Sequence, residues 1–115
     1  MSTLPRVGFI GAGRLAHALA LALHRAGYPI SAIASRSRTS TDRLAAAVPG
    51  AVFCGDGDAV AARCDLVFIT TSDAAIAEVA ATVRWQAGQV VGHCSGVLAA
   101  DALSPARVAG AHVAS

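Results

Sequence analysis

A glycine-rich turn near the N-terminus is the residue pattern with the clearest chemical purpose. The segment VGFIGAGRLAHA places Gly11, Gly13 and Ala16 at the spacing G-x-G-x-x-A, between an apolar run and an amphipathic one. In a strand–turn–helix unit the first glycine permits the tight turn, the second leaves room for a pyrophosphate, and the alanine lets the helix pack closely. The helix N-terminus then offers free N–H groups to the phosphates. The pattern predicts a dinucleotide site, with a glycine turn that binds nothing as the alternative; no Gly-Lys-Ser/Thr follows, which excludes a P-loop.

The segment after the second apolar run indicates which nucleotide is bound. NAD-binding folds normally carry Asp or Glu about 20 residues beyond the glycine turn, where the carboxylate holds the ribose hydroxyls. Here no acid precedes Asp42, and that position reads Ser35-Arg36-Ser37-Arg38. Hydroxyl and guanidinium groups suit a 2′-phosphate, and Arg36 could also stack on adenine. We therefore expect NADP(H) rather than NAD, with two merely solvated arginines as the alternative.

The run VVGHCSG has two interpretations. Residues 92–96 fit the G-x-C-x-G nucleophile elbow of a hydrolase, with Cys94 as the attacking group and Asp101 and His112 following in the order of acid and base. These two residues lie only seven and eighteen positions later, which leaves too little chain to build the strands that present them. A hydrolase would also leave the glycine turn unexplained, so a hydrolase is the least favoured function.

The favoured interpretation is a loop at the carboxyl edge of a parallel sheet, where open α/β folds bind ligands. His93 and Ser95 are then the polar groups expected near the position of hydride transfer, and His93 is a candidate proton donor. A histidine satisfied by local backbone is the alternative. In the same way Thr70, Thr71 and Ser72 follow the fourth apolar run and are expected to border the nicotinamide ribose, unless they are simply loop and capping residues.

Short apolar runs alternate with Ala/Leu-rich stretches along the whole chain. Strands are predicted over residues 6–10, 30–35, 51–54, 65–70, 89–93 and 107–115, and helices over 14–26, 41–48, 58–63, 74–84 and 98–104. Gly27 stands at a left-handed C-terminal cap, and Ser40 and Asp73 are expected to cap helix N-termini. Strands that are apolar throughout indicate a parallel sheet covered on both faces. The fold class is therefore α/β, a doubly wound, mostly parallel sheet of the Rossmann-like type, forming one dinucleotide-binding domain over residues 1–115.

Composition excludes several function classes. The 115 residues are 55% hydrophobic and 14% charged with a net charge of +2, too small to suggest nucleic acid. The charge is uneven, because residues 1–43 hold six arginines and one acid, whereas residues 44–115 hold three arginines and six acids. No apolar run approaches the ~20 residues of a membrane span, and no signal peptide is recognisable, so we expect a cytoplasmic protein without membrane contact. Three cysteines without a C-x-x-C pair indicate free thiols, and the four histidines show no metal-ligand spacing.

The stretches VGFIGAGRLAHALALAL, SRS, DLVFITTSDAAI and VVGHCSGVLAADAL resemble the N-terminal half of a family of NADP-dependent oxidoreductases. In that family a Rossmann-like domain precedes a helical domain of unknown function, and the family is related to pyrroline carboxylate reductase and the phosphogluconate dehydrogenase superfamily. The resemblance implies an oxidoreductase acting on a small carbonyl, imine or hydroxyacid. Such proteins continue beyond this length, so we expect a fragment that lacks the helical domain for substrate binding and homodimer formation. A non-catalytic NADP(H)-sensing module is the alternative.

The resemblance also implies a set of cofactor contacts on four segments. The glycine turn and the loop after the second strand meet the phosphates, and the loops after the fourth and fifth strands face the nicotinamide. The implied residues are Gly11, Ala12, Gly13, Arg14, Leu15, Ser35, Arg36, Ser37, Thr70, Thr71, Ser72, Cys94 and Gly96, with His93 and Ser95 nearest the chemistry. The Ser-Arg-Ser-Arg pattern itself adds Arg38 to the predicted set.

Overall fold

The computed structural model describes residues 4–35, 38–71, 73–93 and 112–114. Strands and helices alternate along these ranges as the hydrophobic pattern predicts. The strands are β1 (Val7–Ile10), β2 (Ile30–Ala34), β3 (Val52–Cys54), β4 (Leu66–Ile69), β5 (Val90–His93) and β6 (His112–Ala114). The helices are α1 (Arg14–Arg25), α2 (Arg38–Ala47), α3 (Gly57–Arg63) and α4 (Asp73–Thr82).

The six strands form one sheet in the order β3-β2-β1-β4-β5-β6, and every neighbouring pair is parallel. The chain thus winds outward from β1 to β3 and then crosses back to β4 on the other side of β1. This reversal is the topological switch point at which open α/β folds bind ligands. The prediction of a doubly wound parallel sheet is confirmed.

One face of the sheet is covered by α1 and α2. Ala16 and Ala20 of α1 are fully buried against Val7 and Phe9 of β1, and Leu44 of α2 packs in the same cluster. The fully buried face of α1 is thus its alanine face, although the spacing i, i+4, i+8 of Leu15, Leu19 and Leu23 favours burial of the leucine face. Leu19 and Leu23 are only partly buried and Leu15 is 48% exposed. Short alanine side chains let the helix axis approach the strands closely, which brings its N-terminus near the turn after β1.

The opposite face is covered by α3 and α4. Val60 and Ala61 of α3 and Ala80 of α4 pack against alternate residues of the central strands, among them Ile10 and Ile69. The side chain of Trp85, just after α4, is buried in this cluster, and its Nε1 donates to the carbonyl of Ala80 at 2.8 Å. Residues on the central strands therefore alternate between two cores, as a sheet with both faces covered requires.

A buried amide ties the end of α3 to the entrance of β5. Gln89 is 5% exposed, and its Nε2 donates to the carbonyl oxygens of Ala61 at 2.5 Å and Cys64 at 2.8 Å. Its Oε1 accepts from the backbone N–H of Gln86 at 2.6 Å. Carbonyls at a helix C-terminus have no partner within the helix, so this side chain satisfies groups that would otherwise be buried unpaired.

Helix boundaries differ from the sequence predictions by a few residues. The predicted N-cap Ser40 is wrong, since α2 already begins at Arg38 and Ser40 lies within its first turn. Asp73 is the first residue of α4 rather than the residue before it. Asp56 caps α3 by accepting from the N–H of Ala59 at 2.9 Å, which starts this helix one residue earlier than expected. Gly27 has φ of 96°, so the predicted left-handed cap of α1 is confirmed. The helix predicted over 98–104 lies outside the described residues.

Within the ranges given above, no helix has both the length and the apolar character needed to cross a membrane.

Candidate functional site

The carboxyl edge of the sheet brings the predicted site segments together. Ala34, Ile10, Ile69 and His93 are in register across β2, β1, β4 and β5, each as the last residue of its strand. The next residues along the chain therefore leave the sheet side by side at one edge. These residues are Ser35, Gly11 and Thr70, the starting points of three segments predicted to contact a nucleotide; the fourth segment, from Cys94, lies outside the described residues.

Gly11 makes the turn out of β1 in a conformation that other residues rarely adopt. Its φ is +108°, and a Cβ at this position would lie 2.7 Å from the carbonyl oxygen of Thr70. Its N–H donates to the carbonyl of Ala34 at 2.7 Å, which joins the turn to the end of β2. Backbone geometry and close contact with the neighbouring loop both require glycine here.

Thr70 fixes the turn from the β4 side. Its backbone N–H donates to the carbonyl of Ile10 at 2.9 Å, and its Oγ1 donates to the carbonyls of Gly11 at 3.0 Å and Ile10 at 3.3 Å. Thr70 is half-buried, and its hydroxyl proton serves the protein backbone. The structure therefore gives Thr70 a role that positions the glycine turn, which the sequence did not predict. The predicted contact with a nicotinamide ribose stays a prediction.

Gly13 stands at the N-cap of α1 and faces open space. A Cβ on Gly13 would find no atom within 4 Å beyond its immediate chain neighbours, and its φ of −77° is accessible to any residue. No side chain caps this end of α1, and its first turn contains no acid. The first N–H groups of a helix have no partner within the helix and carry partial positive charge, so this end suits an anion.

A cavity of about 500 Å³ adjoins the glycine turn between α1 and α2. It is lined by Ala12, Gly13, His17, Ala18, Ser40 and Arg43. His17 and Arg43 were not predicted as site residues, and Ser40 was predicted only as a helix cap. Ser40 and Arg43 could have been found from their positions in α2, just after the Ser-Arg-Ser-Arg segment, because residues three apart on a helix share a face. His17 carries no such signal in the sequence.

A larger hollow of about 650 Å³ lies at the amino edge of the sheet, near Gly27, Gly50 and Arg63. Arg6 also lines it, but pairs with Asp65 through Nε–Oδ2 and Nη2–Oδ1 distances of 3.3 Å. Hydrogen bonds from the Arg6 side chain, and then from its backbone N–H, hold the pKa of Asp65 below its usual range. The glycines that line this hollow, Gly27 and Gly50, follow the C-terminal ends of α1 and α2, and no helix N-terminus is among its lining residues. We therefore place the functional site at the carboxyl edge, although its cavity is smaller.

The predicted site residues fall into three groups in the structure. Gly11, Ala12, Gly13, Ser35, Thr70 and Thr71 lie at the carboxyl edge, and Ala12 is buried there beneath the turn. Leu15 is exposed in the first turn of α1; Arg14 and Arg38 are the first residues of α1 and α2, and His93 is the last of β5. The remaining predictions lie outside the described residues: Arg36, Ser37, Ser72, Cys94, Ser95 and Gly96.

The hydrolase alternative finds no support in the strand register. His112, its candidate base, begins β6 and pairs with Val90, the first residue of β5. Cys94 lies outside the described residues, and in the sequence it follows His93, the residue that ends β5 about 10 Å beyond Val90. The register thus places the candidate base at the start of its strand, not at the carboxyl edge where β5 ends.

Two of the cysteines are free thiols, Cys54 and Cys64. Burial raises the pKa of Cys64 to about 11. Because the thiolate is the reactive form, Cys64 is a core residue rather than a nucleophile.

The glycine turn fits the pyrophosphate of a dinucleotide. The open space in front of Gly13 and the uncapped N-terminus of α1 supply room and N–H donors at one point. The absence of acids in the first turns of α1 and α2 avoids repulsion of an anion.

Known structures share this architecture. A protein from Bacteroides fragilis that is assigned as an NADP oxidoreductase has a TM-score of 0.75 and 29% identity, covering 85% of this chain and 38% of that one. An imine reductase from Pseudomonas has a TM-score of 0.78 and 19% identity, covering 96% of this chain and 40% of its own. A reductive aminase from Aspergillus terreus, solved with NADPH and ethyl levulinate, has a TM-score of 0.74 and 20% identity, covering 96% of this chain and 40% of that one.

The chain spans about two fifths of the length of each of these three proteins. No curated protein sequence matches it. The family model described as a Rossmann-like domain matches residues 2–113, nearly the whole chain. This chain therefore belongs to the Rossmann-like domain family.

Proposed function

We propose that this chain is the NADP(H)-binding domain of an oxidoreductase. In the proposed reaction, hydride passes between the nicotinamide and a small carbonyl, imine or hydroxyacid substrate. The observation that carries the proposal is the geometry around Gly13. A glycine with open space before it stands at an uncapped helix N-terminus, at the switch point of a parallel sheet. This combination suits a pyrophosphate.

The choice of NADP(H) over NAD(H) rests on the end of β2. Ala34 ends this strand and accepts a hydrogen bond from Gly11, so Ser35 emerges beside the glycine turn. Arg36, Ser37 and Arg38 follow, and the chain contains no carboxylate before Asp42. A 2′-phosphate needs cations and hydroxyls at this point, whereas a free 2′-hydroxyl is usually held by an acid. The solved NADP oxidoreductase and the NADPH-bound aminase agree with this choice.

Each segment of the carboxyl edge has a separate task in the proposed complex. The N–H groups from Gly13 onward bind the pyrophosphate, and Arg36 binds the 2′-phosphate. Thr70 holds Gly11 in the turn, so that the phosphate cradle keeps its shape without the ligand. When bound, NADP(H) would supply or accept the hydride, while a proton is added to or removed from the substrate oxygen or nitrogen.

His93 remains the candidate for moving that proton. Its backbone is in register with Ile69, one strand beyond the switch point, so it reaches the edge on the side away from Ser35. A dinucleotide with its adenosine at the end of β2 would extend in that direction. Replacing His93 with Ala in the complete enzyme would test the assignment: the proposal expects loss of turnover with nucleotide binding kept, and unchanged turnover would rule the role out.

Calorimetric titration with NADPH and NADH tests the proposed function. We expect NADPH to bind and NADH to bind at least roughly tenfold more weakly, since hydrogen bonds to charged groups are worth about 1.5–3 kcal/mol. Arg36→Ala should remove this preference. Arg25→Ala is the matched control, because Arg25 is an exposed arginine at the far end of α1 and should leave both affinities unchanged.

Two results would contradict the proposal. Failure of the folded wild-type chain to bind either nucleotide would refute dinucleotide binding. A preference for NADH, or an NADPH preference that survives in Arg36→Ala, would refute the assignment of the 2′-phosphate to the arginine segment.

A further inference from the structure

The hollow at the amino edge of the sheet takes no part in the proposed nucleotide binding. Its volume of about 650 Å³ exceeds that of the cavity beside the glycine turn. The volume also lies within the range of about 300–1,000 Å³ that is usual for small-molecule sites. The hollow forms where β2 and β3 begin and where α1, α2 and α3 end, at the opposite end of the strands from the proposed nucleotide site. A ligand bound there would therefore be separate from the nucleotide.

The charged groups that line this hollow favour an anion. Arg6, His24 and Arg63 line it, and no acid does. Arg6 is already paired with Asp65, whereas Arg63 makes no ion pair within the part of the chain that the structure describes. An arginine at a helix C-terminus interacts favourably with the helix dipole, and Arg63 is the last residue of α3. The dipole does not explain why Arg63 shares one hollow with His24, which belongs to the last turn of α1. Arg63 is therefore the cation that can bind an anion here.

The other walls of the hollow combine apolar surface with hydroxyl groups. Val52, the first residue of β3, is 43% exposed, although every residue of β1 is buried. The rings of Pro29 and Pro49 add to this apolar surface. Tyr28 and Ser31 contribute hydroxyl groups, which can donate hydrogen bonds to an anion. Mostly apolar walls with a few polar groups that orient the ligand are the usual composition of a small-molecule pocket.

We propose that the hollow at the amino edge binds a small carboxylic acid with an apolar body. The carboxylate pairs with the guanidinium of Arg63, whose planar fork of N–H groups matches two carboxylate oxygens. The apolar body lies against Val52, and the hydroxyl groups of Tyr28 and Ser31 donate to the carboxylate. A free phosphate suits the hollow less well, because it has no apolar surface to place against Val52. The inference does not rest on the proposed function, since it involves neither the nucleotide nor its reaction.

Amide chemical-shift titration of the ¹⁵N-labelled chain with benzoate, without nucleotide, tests the inference. Benzoate carries a carboxylate on an apolar ring, and a ligand of its size should bind with a Kd on the order of 1 mM. We expect the largest shifts, with saturation, at Gly27, Ser31 and Gly50. At these residues benzamide, a neutral compound of similar shape, should bind roughly tenfold or more weakly, because it cannot form the charge-assisted hydrogen bond. Inorganic phosphate, which lacks the apolar ring, should also bind there more weakly than benzoate.

Two variants separate the contact with the carboxylate from the contact with the apolar body. Arg63→Gln removes the charge, keeps a long side chain at an exposed helical position, and should leave Tm close to that of wild type. Benzoate affinity should fall roughly tenfold or more. Val52→Thr keeps a branched side chain in β3 but replaces a methyl group with a hydroxyl, so benzoate should bind about fourfold more weakly. Arg84→Gln is the matched control, because Arg84 is exposed and does not line the hollow.

Each contrary result overturns the inference. Benzoate shifts that do not saturate, or that centre on Gly11 and Gly13, would show that the hollow is not a carboxylate site. Equal binding of benzamide, or unchanged benzoate affinity in Arg63→Gln, would show that Arg63 does not recognise the charge. Equal binding of inorganic phosphate at the same residues, or unchanged affinity in Val52→Thr, would show that no apolar body is recognised. None of these results bears on the proposed function, which is tested separately with NADPH and NADH.

Discussion

Two glycines of one turn should respond to the same substitution in opposite ways. At Gly11 a methyl group meets two obstacles, a φ of +108° and the Thr70 carbonyl oxygen 2.7 Å from the new Cβ. At Gly13 it meets neither, since φ is −77° and no atom lies within 4 Å beyond the immediate chain neighbours. Gly11→Ala should therefore damage the fold, whereas Gly13→Ala should damage only the binding of a ligand.

The two effects can be estimated from the structure. Left-handed backbone costs about 1–2 kcal/mol in a residue other than glycine, and overpacking against fixed backbone costs about 1–3 kcal/mol. Gly11→Ala should thus lower the free energy of unfolding by roughly 2–5 kcal/mol. For Gly13→Ala, the weaker N-cap should lower the free energy of unfolding by up to ~1 kcal/mol. The reduced conformational freedom of the unfolded chain should raise it by about 0.4–1 kcal/mol, so stability should change little.

For nucleotide binding, Gly13→Ala should be the more damaging of the two substitutions. A methyl on Gly13 occupies the open space in front of the α1 N-terminus and keeps a pyrophosphate from its N–H donors. Loss of charge-assisted hydrogen bonds worth about 1.5–3 kcal/mol weakens NADPH binding roughly 10-fold to 100-fold. Urea unfolding and calorimetry on the same samples measure both effects. A destabilised Gly13→Ala, or a stable Gly13→Ala that binds NADPH like wild type, would refute the reasoning about this turn.

Three further predictions concern the rest of the fold. Because burial raises the pKa of Cys64 to about 11, iodoacetamide at pH 8 should label native Cys64 far more slowly than Cys54. The two labelling rates, measured by peptide mass spectrometry, should converge when urea unfolds the protein. Equal labelling rates in the native protein would contradict the prediction. Because Arg6 lowers the pKa of Asp65, the pair stabilises the fold above the ordinary carboxyl pKa and is lost as pH falls through the lowered one. Asp65→Asn should therefore have a lower Tm than wild type at pH 7. The difference should shrink as pH falls below about 4 and vanish below the lowered pKa. A difference that persists in strong acid would show that the carboxylate charge is not its source. Gln89→Leu leaves buried carbonyls unpaired and should cost about 1–3 kcal/mol in urea unfolding, so unchanged stability would mean that water replaces the amide.

The sequence predicted the fold well because each local signal has a direct structural cause. Runs such as VGFI and LVFI are apolar at every position, and in the structure their residues alternate between two cores. Gly11 and Ala16 were assigned their tasks from spacing alone, and both are found in the predicted roles: a turn with positive φ, and a close helix contact.

Much of the site depends on contacts between residues far apart in the sequence, which the spacing of a motif does not predict. The hydrogen bond from the Thr70 hydroxyl to the carbonyl of Gly11 was not predicted, because it joins residues 59 positions apart in the sequence. The cavity wall formed by His17 and Arg43 arises because α1 and α2 pack on the same face of the sheet. A helical pattern predicts which face of each helix is buried, but not which element packs against that face. The packing of α1 beside α2 could therefore not be predicted.

Amide chemical-shift mapping of the ¹⁵N-labelled chain with NADP⁺ tests most directly whether the carboxyl edge is the nucleotide site. Because a larger hollow lies at the amino edge, the experiment distinguishes between binding at two opposite edges of the same sheet. We predict that the largest shifts occur at Gly11, Gly13 and Arg43, with Gly27 and Gly50 at the amino edge unchanged. Shifts centred on Gly27 and Gly50, or no shifts at saturating nucleotide, would contradict the account.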